Sequence, residues 1–204
     1  MQRQGHGCCR HRTQTASWWT VTASVPDAAT GRSARVRQHP NRHSVRILTP
    51  WETTLNVPTS VDTTAPVLAH HEIEINAPVE AVWALHVDVN GWTSWNPEMT
   101  SAHLEGALEP GATFDWESYG FPVTSHVYEV DAGHRILWGG TAGGITGVHE
   151  WLFSPTVEGV HVVTNESFAG DAVAADAAGL QSQLDASLVA WLGRLKAAAE
   201  ARTG

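Results

Sequence analysis

A hairpin near the C-terminal end of the chain is predicted to place a histidine beside a glutamate. Residues 148–153 and 160–168 alternate in polarity as strands do, and residues 155–159 between them form a turn. A turn centred between Val157 and Glu158 brings three pairs of side chains onto one face of the hairpin. These pairs are His149 with Glu166, Trp151 with Thr164, and Phe153 with Val162. Because this face is mostly apolar, we expect it to point inward, and a slip of one residue would break the pairing.

The predicted pair of His149 and Glu166 has three interpretations. A glutamate can orient an imidazole and raise its basicity, which suits a general base that moves protons. The same two side chains could instead hydrogen-bond a polar group of a bound ligand. In the third interpretation they only satisfy each other and tie the two strands together. The sequence leaves all three open.

Aromatic and aliphatic side chains are numerous enough to line a cavity for an apolar ligand. We expect the ligand-binding set to be Trp92, Trp95, Asn96, Phe114, Trp116, Trp138, Trp151, Phe153, Thr164, Leu184 and Leu188. For any single tryptophan of this set, packing in the core is the favoured interpretation. For Asn96, expected near the cavity mouth, a role as a turn or cap residue before Pro97 is the favoured interpretation.

Other chemistries find little support. His70 and His71 are adjacent, without the four-residue spacing of a helical metal pair. The cysteines, Cys8 and Cys9, are also adjacent and indicate neither a disulfide framework nor a zinc site. The glycines of residues 139–147 are followed by no Lys-Ser/Thr pair, so they form no phosphate loop. We therefore expect neither a metal nor a cofactor.

The segment from Asp171 to Arg202 predicts one long helix, with Asp171 as its N-cap. Apolar residues recur along it at three- and four-residue steps: Leu180, Leu184, Leu188, Trp191, Leu192 and Leu195. The other face is expected in water and carries Gln181, Gln183, Asp185, Arg194 and Glu200. The apolar stripe needs a partner surface, and a sheet curled around the helix would supply it.

Short strands precede this helix. Residues 67–75 read as the first strand, Asn76 to Pro78 starts a helix, and residues 92–95 form a second short helix. Six more strands are expected at residues 99–105, 113–119, 123–130, 136–140, 148–153 and 160–168. Successive strands with tight turns indicate an α+β fold: an antiparallel sheet of about seven strands wrapped around the C-terminal helix. We expect sequential neighbours to pair, and the first strand to lie beside the last.

Charge divides the chain into two parts. Residues 1–66 hold eight arginines and three acids, whereas residues 67–204 hold four basic and eighteen acidic residues. We expect residues 1–66 to be a disordered or normally untranslated extension, and residues 67–204 to be the folded domain. An acidic domain disfavours nucleic acid as a partner. No apolar run approaches the roughly 18 residues of a membrane-spanning helix, so we expect no stable membrane insertion.

Several segments in order resemble the START/Bet v 1-like (SRPBCC) superfamily, in its bacterial polyketide cyclase/dehydrase-like branch. These segments are Ile75–Trp83, Trp92–Pro97, Gly111–Phe114, Arg135–Trp138 and His149–Phe153. The resemblance spans about residues 67–200. It implies a helix-grip fold with a deep apolar pocket between the sheet and the long helix. It implies little about reaction, because one fold can host many functions.

Three functions follow as hypotheses. The first is binding or transport of a hydrophobic small molecule, such as a lipid, quinone or polyketide-like compound. The second is a cyclase/dehydratase-type enzyme without metal, in which His149 and Glu166 transfer protons. The third is an interaction module like the Hsp90-activator relatives of this fold. A cysteine-free domain fits a reducing compartment, so we expect a cytoplasmic protein. The sequence leaves the oligomeric state open.

Overall fold

A computed structural model describes residues 57–203. Within this range seven strands form one antiparallel sheet in the order β1-β7-β6-β5-β4-β3-β2. The strands are β1 (Val67–Ile75), β2 (Met99–Leu104), β3 (Thr113–Ser118), β4 (Phe121–Asp131), β5 (Arg135–Ala142), β6 (Ile145–Pro155) and β7 (Val160–Ala169). The predicted α+β class, the pairing of sequential neighbours and the placement of the first strand beside the last are confirmed.

Two short helical segments follow β1. Helix α1 spans Val79–Val87, and a 3₁₀ helix spans Val89–Ser94, three residues earlier than its predicted start. Asn76 does not cap α1, because Pro78 is the N-cap residue and no side chain caps this end. The backbone N–H of Asn76 instead donates to Glu200 at 2.8 Å, which ties this corner to the C-terminal helix.

The predicted single C-terminal helix is divided at Asp176. Helix α2 spans Asp171–Ala175 and α3 spans Ala177–Thr203. Asp176 adopts φ −150° and ψ 63°, and its carboxylate accepts a hydrogen bond from the N–H of Gly179 at 3.0 Å. Because aspartate competes with the helical hydrogen-bond pattern in this way, the true cap of the long helix is Asp176 rather than Asp171.

Helix α3 packs on the concave face of the sheet with its predicted apolar stripe, all of which is buried. The C-terminal half of the stripe, including Trp191 and Leu195, joins the large core cluster. The N-terminal half, including Leu184 and Leu188, joins a smaller cluster with Val67 of β1. Each fully buried leucine stabilises the fold by about 2 kcal/mol, so this stripe holds the helix against the sheet.

Residues 57–66, assigned by sequence to the extension, lie against the convex face of the sheet. The N–H of Asp62 donates to Ser167 Oγ at 3.0 Å, and Arg135 Nη2 donates to the carbonyl of Thr59 at 2.8 Å. Strand alternation places Ser167 and Arg135 on the face opposite Glu166 and Ile136. The packed part of the chain thus begins by Thr59, while residues 1–56 of the predicted extension lie outside the described residues.

Candidate functional site

A cavity of about 700 Å³ lies between the concave face of the sheet and helix α3. Six of the predicted site residues line it: Trp116, Trp138, His149, Glu166, Leu184 and Leu188. Strands β3 to β7 supply one wall, and the first four turns of α3 supply the other. Glu98, Ser118 and Tyr119 line the end at the β3–β4 turn, where Tyr119 takes a left-handed φ of 54°.

The predicted register of the last hairpin is confirmed. His149 is paired with Glu166, and Trp151 with Thr164. His149 Nδ1 lies 3.4 Å from Glu166 Oε2, which is longer than a well-formed hydrogen bond of about 2.9 Å. His149 Nε2 lies 2.8 Å from Thr164 Oγ1, within hydrogen-bonding distance. Both ring nitrogens of the histidine therefore face protein atoms.

Burial controls the protonation of this pair. Loss of solvent raises the pKa of Glu166 from 4.5 to about 8. Loss of solvent also lowers the pKa of His149 well below its usual range, and the neighbouring ring of His86 lowers it further. Near pH 7 the glutamate is therefore mainly a neutral carboxylic acid and the histidine a neutral imidazole. The site offers a hydrogen-bond donor rather than an ion pair.

Five of the predicted ligand residues lie in the core rather than on the cavity wall. Trp92, Phe114, Trp151 and Phe153 are at most 1% exposed, and Thr164 is fully buried against His149. The aromatic rings pack against one another. Trp92 and Phe114, for example, meet edge to face with centroids 5.6 Å apart. Their strands place them on the expected face, but neighbouring side chains separate them from the cavity.

Two further predicted residues lie near the 3₁₀ helix and do not line the cavity. Trp95 is partly buried and packs against the large core cluster. Asn96 is fully buried, and its side-chain oxygen accepts from Arg194 Nη1 at 3.1 Å and from the N–H of Glu98 at 3.2 Å. These contacts match the turn role that the sequence left open for Asn96.

His86 was not predicted as a site residue. It lies on α1, is fully buried, and has no hydrogen-bond partner for either ring nitrogen among the described residues. Its ring centroid lies 4.4 Å from that of Trp151, and it stacks on Trp138 with centroids 5.4 Å apart. Burial lowers the pKa of His86 to about 3. The sequence signal for its burial was the four-residue spacing of His86 from Val82, which is also buried.

The polar face of α3 is not simply a solvent face, as the sequence suggested. Gln183 lines the cavity, and its Oε1 is buried without a hydrogen-bond partner among the described residues. Trp191, expected only to pack, also lines the cavity and has an unpartnered buried indole nitrogen. Asp185 contacts His71 of β1 at 2.8 Å. Gln181 contacts the backbone of the same strand.

Within residues 57–203 no group of three histidine, cysteine or acidic side chains is arranged to hold a metal ion. Over the same residues, no helix is long and apolar enough to cross a membrane.

A curved antiparallel sheet gripping a long C-terminal helix, with a cavity between them, defines a helix-grip protein of the SRPBCC type. A family model confirms this class and narrows it. Residues 66–200 match the family described as polyketide cyclase / dehydrase and lipid transport, and the chain belongs to that family.

Solved structures agree on the fold. A hypothetical protein from Helicobacter pylori superposes with a TM-score of 0.59 at 21% identity, covering 66% of this chain and 89% of that one. A START superfamily protein from Mycobacterium smegmatis superposes with a TM-score of 0.58 at 12% identity, covering 65% of this chain and 97% of that one. The Zhui aromatase/cyclase from Streptomyces superposes with a TM-score of 0.57 at 19% identity, covering 67% of this chain and 95% of that one. Comparison with curated proteins gives no match.

Proposed function

We propose that this protein binds, and in doing so carries, a hydrophobic small molecule in the cavity beneath α3. The observation that supports this most directly is the cavity itself. Its volume of about 700 Å³ lies within the range of roughly 300–1,000 Å³ that small-molecule sites occupy. Its wall combines aliphatic side chains of α3 with the indoles of Trp116, Trp138 and Trp191. Transfer of an apolar ligand from water into such a space is favourable.

The geometry supports binding better than proton-transfer catalysis by His149. A general base needs a nitrogen within reach of the substrate proton. Here Nε2 is directed at Thr164 and Nδ1 at Glu166, and the residue is 3% exposed. The low pKa of the buried imidazole also makes it a poor proton acceptor. The resemblance to the Zhui aromatase/cyclase concerns the fold alone.

An interaction module receives less support. The exposed large apolar side chains of residues 57–203 lie on different elements: Val57, Leu68, Tyr119, Val157 and Val189. A docking surface calls for a contiguous apolar patch of several hundred Å². Scattered single residues of this kind are normal on a protein surface.

A paired substitution on α3 tests the binding proposal. Ser187 lines the cavity, whereas Val189, two residues on, is 55% exposed and does not line it. Ser187→Phe adds a ring to the cavity, and we expect it to weaken binding of the uncharged fluorophore N-phenylnaphthylamine about tenfold or more. Val189→Phe is the matched control and should leave binding unchanged.

The assay is the rise in probe fluorescence when it is added to protein stripped of bound lipid by organic extraction. Thermal unfolding of each variant shows that the fold is kept. The proposal fails if the wild-type protein gives no saturable signal. It also fails if Ser187→Phe and Val189→Phe bind the probe equally well, because the probe would then occupy another surface.

A further inference from the structure

The polar groups on the cavity wall restrict the chemical class of the ligand more than the apolar surface of the cavity does. Resting on the proposed function above, we propose that the ligand is uncharged and carries a carbonyl oxygen, as in a ketone, quinone or ester. Glu166 and the indole N–H of Trp191 donate hydrogen bonds to that oxygen. The site thereby selects against carboxylates of the same shape.

Glu166 presents a donor because of where β7 holds it. Its Oε2 points toward His149, and its Oε1 lies 3.7 Å from the place where a Cβ on Gly147 would be. The proposal assigns the tautomer in which His149 Nδ1–H is directed at Oε2 and Nε2 accepts from the Thr164 hydroxyl, which leaves the carboxyl proton on Oε1. Gly147 has no side chain to compete for that proton, so it is available to a ligand.

Trp191 presents a second donor on the facing helix. It is 3% exposed, it lines the cavity, and its Nε1 has no partner among the described residues. A buried N–H without an acceptor is unfavourable, and a ligand oxygen would remove that penalty. The ring centroid of Trp191 lies 5.9 Å from that of His149, the residue that contacts Glu166. Glu166 on β7 and Trp191 on α3 thus belong to opposite walls of the cavity.

A second polar position lies farther along α3. Gln183, Ser187 and Trp191 recur at four-residue steps, so they face the same way and span about 12 Å. All three line the cavity, and Gln183 Oε1 is buried without a partner among the described residues. The amide of Gln183 can therefore bind a second polar group of the ligand, such as a hydroxyl.

Charge excludes the acidic counterpart of such a ligand. Among the described residues that line the cavity there is no lysine or arginine, and two are glutamates, Glu98 and Glu166. The nearby guanidinium of Arg194 is already paired with Glu98, with Nη2 and Oε1 2.6 Å apart. A buried carboxylate would find no counter-charge there, and burying an unpaired charge is strongly unfavourable.

The titratable groups around Glu166 add a pH dependence. His149 of β6 contacts Glu166, and His86 of α1 is close enough to His149 to lower its pKa. Both histidines are neutral at pH 7. On the other side, His71 of β1 is engaged with Asp185 of α3. As pH rises through about 8, Glu166 ionises and its donor is lost. Ketone binding should then weaken.

Three matched probes test the proposal: 2-acetylanthracene, 2-ethylanthracene and anthracene-2-carboxylate. They share one ring system and differ in the group that would meet Glu166 and Trp191. Quenching of tryptophan emission by energy transfer to the anthracene measures binding of each. At pH 6.5 we expect the ketone to bind about tenfold tighter than the ethyl analogue. The carboxylate should bind at least tenfold more weakly than the ketone.

Variants assign the effect to the two donors. Glu166→Gln keeps a neutral donor, so it should retain the preference for the ketone and remove its decline above pH 8. Glu166→Leu and Trp191→Phe each remove a donor and should reduce the ketone's advantage several-fold, with ethyl-probe binding retained. Binding of the ethyl probe and thermal unfolding report whether each variant still has a formed cavity.

The outcomes separate this inference from the proposed function. If no probe binds, the binding function itself is wrong. If all three bind equally, or the carboxylate binds best, the cavity binds apolar ligands but the inference about their polar group is overturned. It is also overturned if the ketone keeps its full advantage in the Glu166→Leu, Trp191→Phe double variant.

Discussion

Replacing Glu166 by glutamine should change the pH dependence of stability in a defined direction. Burial raises the pKa of this carboxyl from 4.5 to about 8, so the folded state holds a proton that the unfolded state releases. Stability associated with Glu166 is therefore fully present below pH 4.5. It declines as pH rises, and is lost once pH has passed about 8. Glutamine is neutral throughout and removes this decline.

The size of the effect follows from the shift. A difference of about 3.5 pKa units corresponds to at most about 5 kcal/mol, at about 1.4 kcal/mol per unit. We expect a smaller value, because the side chain is 15% exposed and water relaxes around the ionised form. The free energy of unfolding of Glu166→Gln minus that of wild type should increase by about 2–4 kcal/mol as pH rises from 5 to 9.

Urea unfolding at pH 5, 7 and 9, followed by tryptophan fluorescence, measures this difference. Glu158→Gln is the matched control, since Glu158 is exposed in the turn of the same hairpin. Its pH profile should follow that of wild type. Parallel profiles for wild type and Glu166→Gln would refute the reasoning. A wild type that gains stability over Glu166→Gln as pH rises would show that the carboxylate form is the one stabilised.

Three further outcomes are expected. His86→Phe should resist acid unfolding better than wild type, because the buried imidazole of His86 must stay neutral in the folded state. The free energy of unfolding that is linked to His86 falls as pH drops below 6.5 toward 3, and urea unfolding at pH 4 and 7 measures it. Removing residues 1–61 should lower the Tm by a few degrees relative to removal of residues 1–56. The reason is that Arg135 loses the Thr59 carbonyl, worth about 1 kcal/mol. Leu188→Ala should cost about 2–5 kcal/mol in chemical denaturation, since Leu188 is 1% exposed.

The strand register could be predicted from sequence because two signals agree on it. Polarity alternates along β6 and β7, and the short turn between them indicates where the pairing is centred. With the turn centred between Val157 and Glu158 and both strands placing their apolar residues inward, His149 is expected to face Glu166, as it does. Sequential hairpins also determine most of the strand order, since tight turns connect neighbours.

The division between cavity and core could not be predicted in the same way. Alternation decides which face a side chain occupies, but not how deep it lies beneath that face. Trp138 and Trp151 are both on the concave side, yet Trp138 lines the cavity and Trp151 does not. The difference depends on where α3 crosses the sheet, and that path begins at the break at Asp176. Helix periodicity alone did not reveal this break.

The protonation states of His149 and Glu166 could not be predicted from the sequence either, and they bear on the three interpretations of this pair. A histidine beside a glutamate suggests a base with an orienting carboxylate only if the two can exchange charge. In an apolar wall both charged forms lose solvation, so the pKa of Glu166 rises while that of His149 falls. The burial that weakens His149 as a base leaves Glu166 as a neutral acid. A neutral acid facing an apolar cavity suits recognition of a ligand oxygen, which supports the binding function proposed above.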